Sequence, residues 1–368
     1  MRAATRPQQR PSDARLLVVD AVGRVEHDER SHLARRLAPG DLLVANDAAT
    51  LPASLRGRHV PTCRVVEVRL AGWPSADVTD PRRFRAVVFG AGDFRTRTED
   101  RPPPPQLRAG DLLELGPLTA LVTTLLGHPR LVEIRFAGTR DEIWAGLARH
   151  GRPIQYAHLV EALELWDVWT RLAARPVAFE PPSAGFLLDW RLLEALAARH
   201  VGFATLTHAA GISSTGDPQL DARLPFDEPY HLPAATVDAI ERTRATGGRV
   251  VALGTTVTRA LEHAARSGAL HPGPGLATGR LGPGTPPRVV DAILTGTHEP
   301  GESHYELLRA FAGAETLAWM SAALEAGDYR AHEFGDSALI ALQRGPPVRA
   351  RADALPSPRP AGPRILRT

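Results

Sequence analysis

The segment Arg249-Val250-Val251-Ala252-Leu253-Gly254-Thr255-Thr256-Val257-Thr258-Arg259-Ala260-Leu261-Glu262 constrains the fold more than any other stretch of this chain. Four apolar residues make a short β-prone run, Gly254 lets the backbone turn closely, and a helical pattern follows without a gap. A buried strand, a tight polar turn and a helix in immediate succession belong to an α/β fold. Thr255 and Thr256 are the N-cap candidates. Free N–H groups at such a helix start attract a carboxylate, a phosphate or another electron-rich group, and Arg259 lies one turn on. Standing alone, the segment would equally serve as an ordinary strand-to-helix connection.

The same texture recurs along most of the chain. Residues 15–20 and 24–27 read as a hairpin, 31–37 as a short helix, and 42–45 as a strand ending at Asn46-Asp47. Past Asp141 the helical period returns over 142–150, 158–174 and 190–199, with Trp166 and Trp169 at helical spacing and assigned to the core. Residues 203–206 form a strand with Thr207 and His208 at its end. A helix follows over 233–246, with Pro near its start and Gly247-Gly248 past its end. A strand over 289–294 leads to Thr295 and His298, and Ser303 to Glu306 matches a capping box for a helix that runs to Phe311.

Between about Gly57 and Gly138 the pattern changes. Short β-prone runs at 63–70, 84–89, 112–115, 118–126 and 131–136 are separated by Gly, Pro and Asp, with no convincing helix among them. That spacing predicts a small antiparallel barrel. The expected organisation is therefore a discontinuous large α/β domain over 13–56 and 139–343 that holds the active site, interrupted by a small β-barrel domain at 57–138. Residues 1–12 and 344–368, rich in Arg, Pro and Ala, read as disordered tails.

Composition removes several alternatives. No apolar run among the 368 residues approaches the ~20 needed to span a bilayer, and the polar N-terminus lacks a secretory h-region, so a cytoplasmic enzyme with no membrane partner is expected. Cys63 is the single cysteine, which excludes a disulfide framework and a Cys-rich zinc site. All 44 Lys and Arg residues are arginine, which excludes Schiff-base chemistry and a P-loop lysine. The formal charge of +3 says little about a nucleic-acid partner.

Function in α/β folds gathers just beyond strand ends. Here those positions hold Asn46 and Asp47, Thr207 and His208, Gly254 to Thr256, Thr295 and His298, and Asp336 after Gly335. The turn Pro181-Pro182-Ser183-Ala184-Gly185 and the acidic stretch at Asp227-Glu228 join them. His208 and His298 lack a helical i, i+4 partner of ligand type, so no metal is expected.

These pieces, in their order and spacing, resemble the S-adenosylmethionine:tRNA ribosyltransferase-isomerase family of queuosine biosynthesis. The resemblance runs from about Ala14 to Ile340 and is carried by short matches. They are Pro39-Gly40-Asp41-Leu42-Leu43-Val44 with Asn46-Asp47, Pro182 to Gly185, Leu206-Thr207-His208, Glu228, Ala252 to Thr256 with Arg259 and Glu262, Leu294-Thr295, His298 and Phe334-Gly335-Asp336. It implies a large α/β domain interrupted by a small barrel, as a divergent paralogue in that family. It also implies transfer and isomerisation of the ribosyl part of S-adenosylmethionine onto the aminomethyl group of a 7-deazaguanine in tRNA, giving epoxyqueuosine, adenine and methionine. S-Adenosylmethionine is then the co-substrate and tRNA the partner, with the chain a monomer or weak oligomer. His208, Glu228, His298, Asp336 and Asp47 supply the acid–base groups. Asn46, Ser183, Ala184, Gly185, Thr207, Gly254, Thr255, Thr256, Arg259 and Thr295 are the expected substrate-binding residues.

The chain also departs from the pattern. Ala48-Ala49 replaces Thr-Arg, Ser54 replaces a second arginine, Arg223 and Phe226 stand where two histidines precede the glutamate, and Gly296-Thr297 replaces Asn-Phe. Cationic and hydrogen-bonding residues suited to a polyanion are the ones lost. Two other readings therefore stay open at this level: ribosyl transfer to a small amine or cleavage of S-adenosylmethionine without tRNA, and an inactive RNA-binding homologue.

Overall fold

The structure is a computed structural model that describes residues 1–344. Its centre is a nine-stranded sheet. From one edge to the other the strands are Gly273–Ala277, Glu228–Leu232, Gly202–His208, Leu42–Asn46, Val250–Leu253, Ala292–Gly296, Ser337–Ala341, Arg15–Val19 and Val25–Glu29. The four strands from Gly202–His208 to Ala292–Gly296 run parallel, flanked antiparallel by Glu228–Leu232 on one side and Ser337–Ala341 on the other, and Ser337–Ala341 pairs parallel with Arg15–Val19. Period-two alternation explains why the parallel runs are apolar throughout. Leu42, Val44, Val250 and Ala252 pack under the helices Ala234–Ala245 and Thr255–Ala264, whereas Leu43, Ala45, Val251 and Leu253 face Leu188 and Leu196. Both faces are covered, so every residue of the strand must be buried.

The stretch after Pro52-Ala53 closes into a six-stranded antiparallel barrel, with strands in the order Leu118–His128, Leu131–Phe136, Arg83–Phe89, Arg64–Gly72, Ser54–His59 and Leu112–Leu115. Ser54–His59 is a barrel strand that the sequence pattern does not show, because Arg56 and Arg58 face out and the inward positions after Leu55 are Gly57 and His59, which make no apolar run. Gly57 is required there: a Cβ would lie 1.9 Å from the Glu114 carbonyl oxygen of the neighbouring strand. The barrel core runs on into the α/β body beside the sheet, to Val177, Phe179 and Ala209. Trp73 follows the strand Arg64–Gly72, stacks obliquely on Phe84 of the barrel and Phe179 of the α/β body, and donates from Nε1 to the Val177 carbonyl at 2.8 Å.

Several expected elements are corrected. Residues 158–174 are not one helix; only Leu165–Val168 is helical. The Gln155 side chain takes up the Glu161 carbonyl and the Leu163 N–H, and the Val160 N–H goes to Thr5, so the backbone groups of a longer helix are already committed. Trp166 and Trp169 consequently lie outside the core, 71% and 42% exposed. The N-terminal segment expected as a tail is laid down on the body. Arg2–Ala3 pairs with Arg330–Ala331, Ala4 is buried, and Gln9 donates to the carbonyls of Asp167 and Trp169. Of the tail expected over 344–368, all but Arg344 lies outside the described residues. No described helix is long and apolar enough to cross a membrane.

Candidate active site

The C-terminal ends of the four parallel strands open into a cleft of about 490 Å³. Its walls include Ser183, Ala184, Glu228, Gly254, Thr255, Thr256, Arg259, Thr295 and His298, so most of the strand-end residues share one cavity. Gly254 adopts φ +95°, a conformation closed to ordinary L residues, and the helix begins at Thr255. The cap is therefore Gly254 rather than Thr255 or Thr256. With no capping side chain, the helix leaves its first N–H groups to whatever enters the cleft. Ser183 and Ala184 stand on the opposing short turn, Ala184 close enough that a Cβ on Gly254 would meet it at 3.1 Å. Gly185 is buried beneath that turn against Thr170 and does not line the cavity.

Glu228, Arg259 and His208 form a buried unit. The Glu228 carboxylate pairs with the Arg259 guanidinium and accepts from the Gly211 N–H at 2.6 Å. Arg259 also donates to the carbonyls of Phe226, Ala277 and Gly279, at 2.8, 3.0 and 3.3 Å. Its donors are spent inside the protein, which removes it as a free anion-binding group and makes it the clamp that holds Glu228. His208 is fully buried, its Nε2 3.5 Å from Glu228 and neither ring nitrogen hydrogen-bonded. Burial, and then the Arg259 charge, push its pKa down to about 3, so the ring is neutral.

His298 is placed differently. It lines the cleft half-buried, its Nε2 2.9 Å from the Thr295 hydroxyl and its Nδ1 3.8 Å from Glu302. Desolvation, with His304 and His332 nearby, holds its pKa well below the usual imidazole range. A neutral imidazole oriented by a threonine is suited to accept a proton.

Besides Gly185 and the buried His208, four more expected residues stand outside the cavity. Asn46 braces it: its Oδ1 accepts from the N–H groups of His208 and Ala48, and its Nδ2 donates to the His208 carbonyl and reaches Thr256. Side-chain alternation turns Asp47 the other way, onto the hydroxyls of Thr207 at 2.6 Å and Thr205 at 3.3 Å, so Asp47 and Thr207 satisfy each other. Asp336 is buried and bound by Arg15 and Arg330 through their backbone N–H and guanidinium groups. Its pKa is lowered, since those donors outweigh the burial that opposes them. Asp47 and Asp336 are thus corrected from acid–base groups of the cleft to members of the framework.

The cleft also contains residues the sequence reading missed: Tyr156, His158, Glu180, His304, His332 and Glu333. His158 pairs with Glu333 at 3.1 Å and stacks on His332 with ring centroids 4.4 Å apart. All but His304, which lies in the helix Ser303–Leu308, come from irregular segments without period. Their one visible signal was a concentration of histidines around His298, His304 and His332. Of the departures from the family pattern, Arg223 faces away from the cavity and donates to the carbonyls of Leu126 and Gly127, pinning a barrel hairpin.

Fold and cleft define a class of protein: an α/β body with an inserted barrel and a cleft at the ends of its parallel strands, where such folds place their ligands. Comparison with known proteins makes this specific. The family described as queuosine biosynthesis protein matches residues 1–340, and the chain belongs to that family. It is similar to the S-adenosylmethionine:tRNA ribosyltransferase-isomerase of Thermosynechococcus vestitus, at 34% identity over 92% of each chain. That of Acidithiobacillus ferrooxidans is also 34% identical, over 93% of this chain and 95% of the relative. A crystal structure of the S-adenosylmethionine tRNA ribosyltransferase from Thermotoga maritima superposes at TM-score 0.46 with 22% identity, covering 92% of this chain and 95% of that one.

Proposed function

We infer that this chain transfers the ribosyl unit of S-adenosylmethionine to an aminomethyl-deazaguanine of tRNA and isomerises it, releasing adenine and methionine. What carries the reading is that segments distant in sequence, the ones that carry the resemblance to the family, at 183–184, 228, 254–256, 295 and 298, line one cleft. The physical demands of the reaction fit those residues. The sulfonium acidifies the neighbouring C5′ hydrogens, and neutral His298 stands in the cavity as the base for one of them. The uncapped helix start at Gly254 to Thr256 suits the methionine carboxylate. The small residues Ser183 and Ala184 allow close approach of the sugar or base.

Purified protein incubated with S-adenosylmethionine tests this. Adenine and methionine released only in the presence of tRNA bearing the aminomethyl-deazaguanine is the expected result. Release without tRNA would point to a small acceptor or simple cleavage, and silence in both conditions to an inactive RNA-binding homologue.

A further inference from the structure

We propose that Glu180 is the proton carrier of the cleft, its carboxyl set between the Tyr156 hydroxyl and the Ser213 N–H so that either protonation state is held. The proposal rests on the ribosyl-transfer reading above. Glu180 follows the short strand Arg175–Ala178, half-buried in the cavity wall just before the Pro181-Pro182-Ser183 turn. One carboxyl oxygen contacts the Tyr156 hydroxyl, and the other accepts from the Ser213 N–H at 3.0 Å. The same Tyr156 hydroxyl lies 3.0 Å from the Ser214 carbonyl oxygen.

Proton counting makes this arrangement informative. The tyrosine hydroxyl has one proton and sits between two acceptors. If Glu180 is ionised, one of the two contacts is oxygen against oxygen with no proton between them. If Glu180 is protonated, it donates to the tyrosine oxygen while the tyrosine donates to Ser214, and both bonds are complete. Loss of the carboxyl proton is accommodated by turning the Tyr156 hydroxyl onto Glu180, where the Ser213 N–H already supports the anion. The trio therefore holds either protonation state.

Of the other carboxyls of the cleft, Glu299 lies exposed at the rim and most of the rest are bound. Glu228 is bound by Arg259, Glu333 by His158, and Glu302 accepts from the Glu299 N–H. No guanidinium is paired with Glu180 among the described residues. The groups that face it are Tyr156, with Arg69 of the barrel 5.7 Å behind that ring, Glu333 with His158 and His332, and Asp221 tied to Ser214 and Thr215. Burial, with the Glu333 charge, pushes the carboxyl up to about 7 against the opposing bonds from Ser213 and Tyr156. That value suits a group that must give and take a proton near neutrality.

The step balances without another reactant. The bond between adenine and the ribosyl carbon breaks, its electron pair stays on adenine, and the Glu180 proton goes to an adenine ring nitrogen. When the acceptor amine forms its C–N bond to the sugar-derived unit, its N–H proton passes to the Glu180 carboxylate and restores the acid. Glu180 is then a catalytic residue and Tyr156 a positioning residue.

The test follows adenine release with S-adenosylmethionine and acceptor tRNA from pH 5.5 to 9, for wild type and the variants Glu180→Gln, Glu180→Asp and Tyr156→Phe. Glu180→Gln is expected to lose at least ~100-fold in kcat, with KM for S-adenosylmethionine within about threefold, and to lose the limb of the profile near pH 7. Glu180→Asp should retain part of the rate, and Tyr156→Phe should shift the limb. Wild-type kcat and an unmoved limb in all three would overturn the proposal. Should Glu180→Gln fail to fold, the other two variants decide by the same limb. Carboxyl ¹³C titration of the free enzyme adds a readout that needs no turnover: titration near 7 is expected, and titration near 4.5 overturns the proposal. Wild type that releases no adenine with tRNA removes the ribosyl-transfer reading instead, and the titration still decides whether Glu180 carries a proton at neutral pH.

Discussion

The buried His208 and the half-buried Glu180 give this protein opposite responses to pH. The His208 pKa falls from 6.5 to about 3, chiefly through burial, so the unfolded chain takes up a proton that the folded chain refuses. Stability is therefore lost as pH falls from 6.5 toward 3. The Glu180 pKa rises from 4.5 to about 7, again chiefly through burial, so the folded chain keeps a proton that the unfolded chain releases. Stability is lost as pH rises from 4.5 toward 7. In a curve of Tm against pH, His208→Leu is expected to flatten the acid side and Glu180→Gln the neutral side; limbs identical to wild type would contradict these placements. His298→Ala should cut turnover at least ~100-fold in the adenine-release assay, and a wild-type rate would show that the imidazole is not the base. At this scale sequence revealed position but not direction. Asn46 and Asp47 are adjacent at one strand end, yet pleating sends the first toward Thr256 and the second toward Thr207. Tyr156, Glu180 and Glu333 sit in irregular chain and gave no periodic signal, because only tertiary packing brings them together.

Among the elements, the strand-turn-helix at Val250–Leu253 and Thr255–Ala264 fixes the geometry of the cleft. Gly254→Ala would force a side chain into a glycine-only conformation and against Ala184. It is expected to cost about 1–3 kcal/mol in urea unfolding and to raise KM for S-adenosylmethionine. Unchanged stability and KM would mean that the helix start tolerates a cap and does not bind the ligand. This element was legible because apolar run, glycine and helical period all agree over fourteen consecutive residues, Arg249 to Glu262. The 158–174 stretch was misread for the opposite reason. Its helical period is genuine, but Gln155 and Thr5 satisfy backbone groups that a helix would need, and tertiary partners win. The helix over Ala314–Ala326 was not anticipated; its apolar residues crowd all faces and blur the stripe.

For the whole molecule, the barrel is part of the site's foundation. The Ala71 carbonyl at the end of a barrel strand accepts from the Ile212 N–H beside Gly211, and Gly211 in turn holds Glu228. Trp73 joins the two halves through Phe84, Phe179 and the Val177 carbonyl. Trp73→Ala is expected to cost about 3–5 kcal/mol and to lower activity with it. A loss under about 1 kcal/mol would show that barrel and α/β body do not share their core. The presence of an inserted barrel was readable from the change of texture near Gly57; its sixth strand, Ser54–His59, was not, because the closing contact with Leu112–Leu115 is non-local.

The central claim is that one cleft couples cleavage of S-adenosylmethionine to modification of tRNA. Its most direct test counts both products of the same incubation, free adenine by chromatography and the altered nucleoside by mass spectrometry of digested tRNA. The account predicts one adenine per modified nucleoside and neither product when the acceptor tRNA is left out. Adenine formed at the same rate without tRNA, or tRNA recovered unchanged while adenine accumulates, would contradict it.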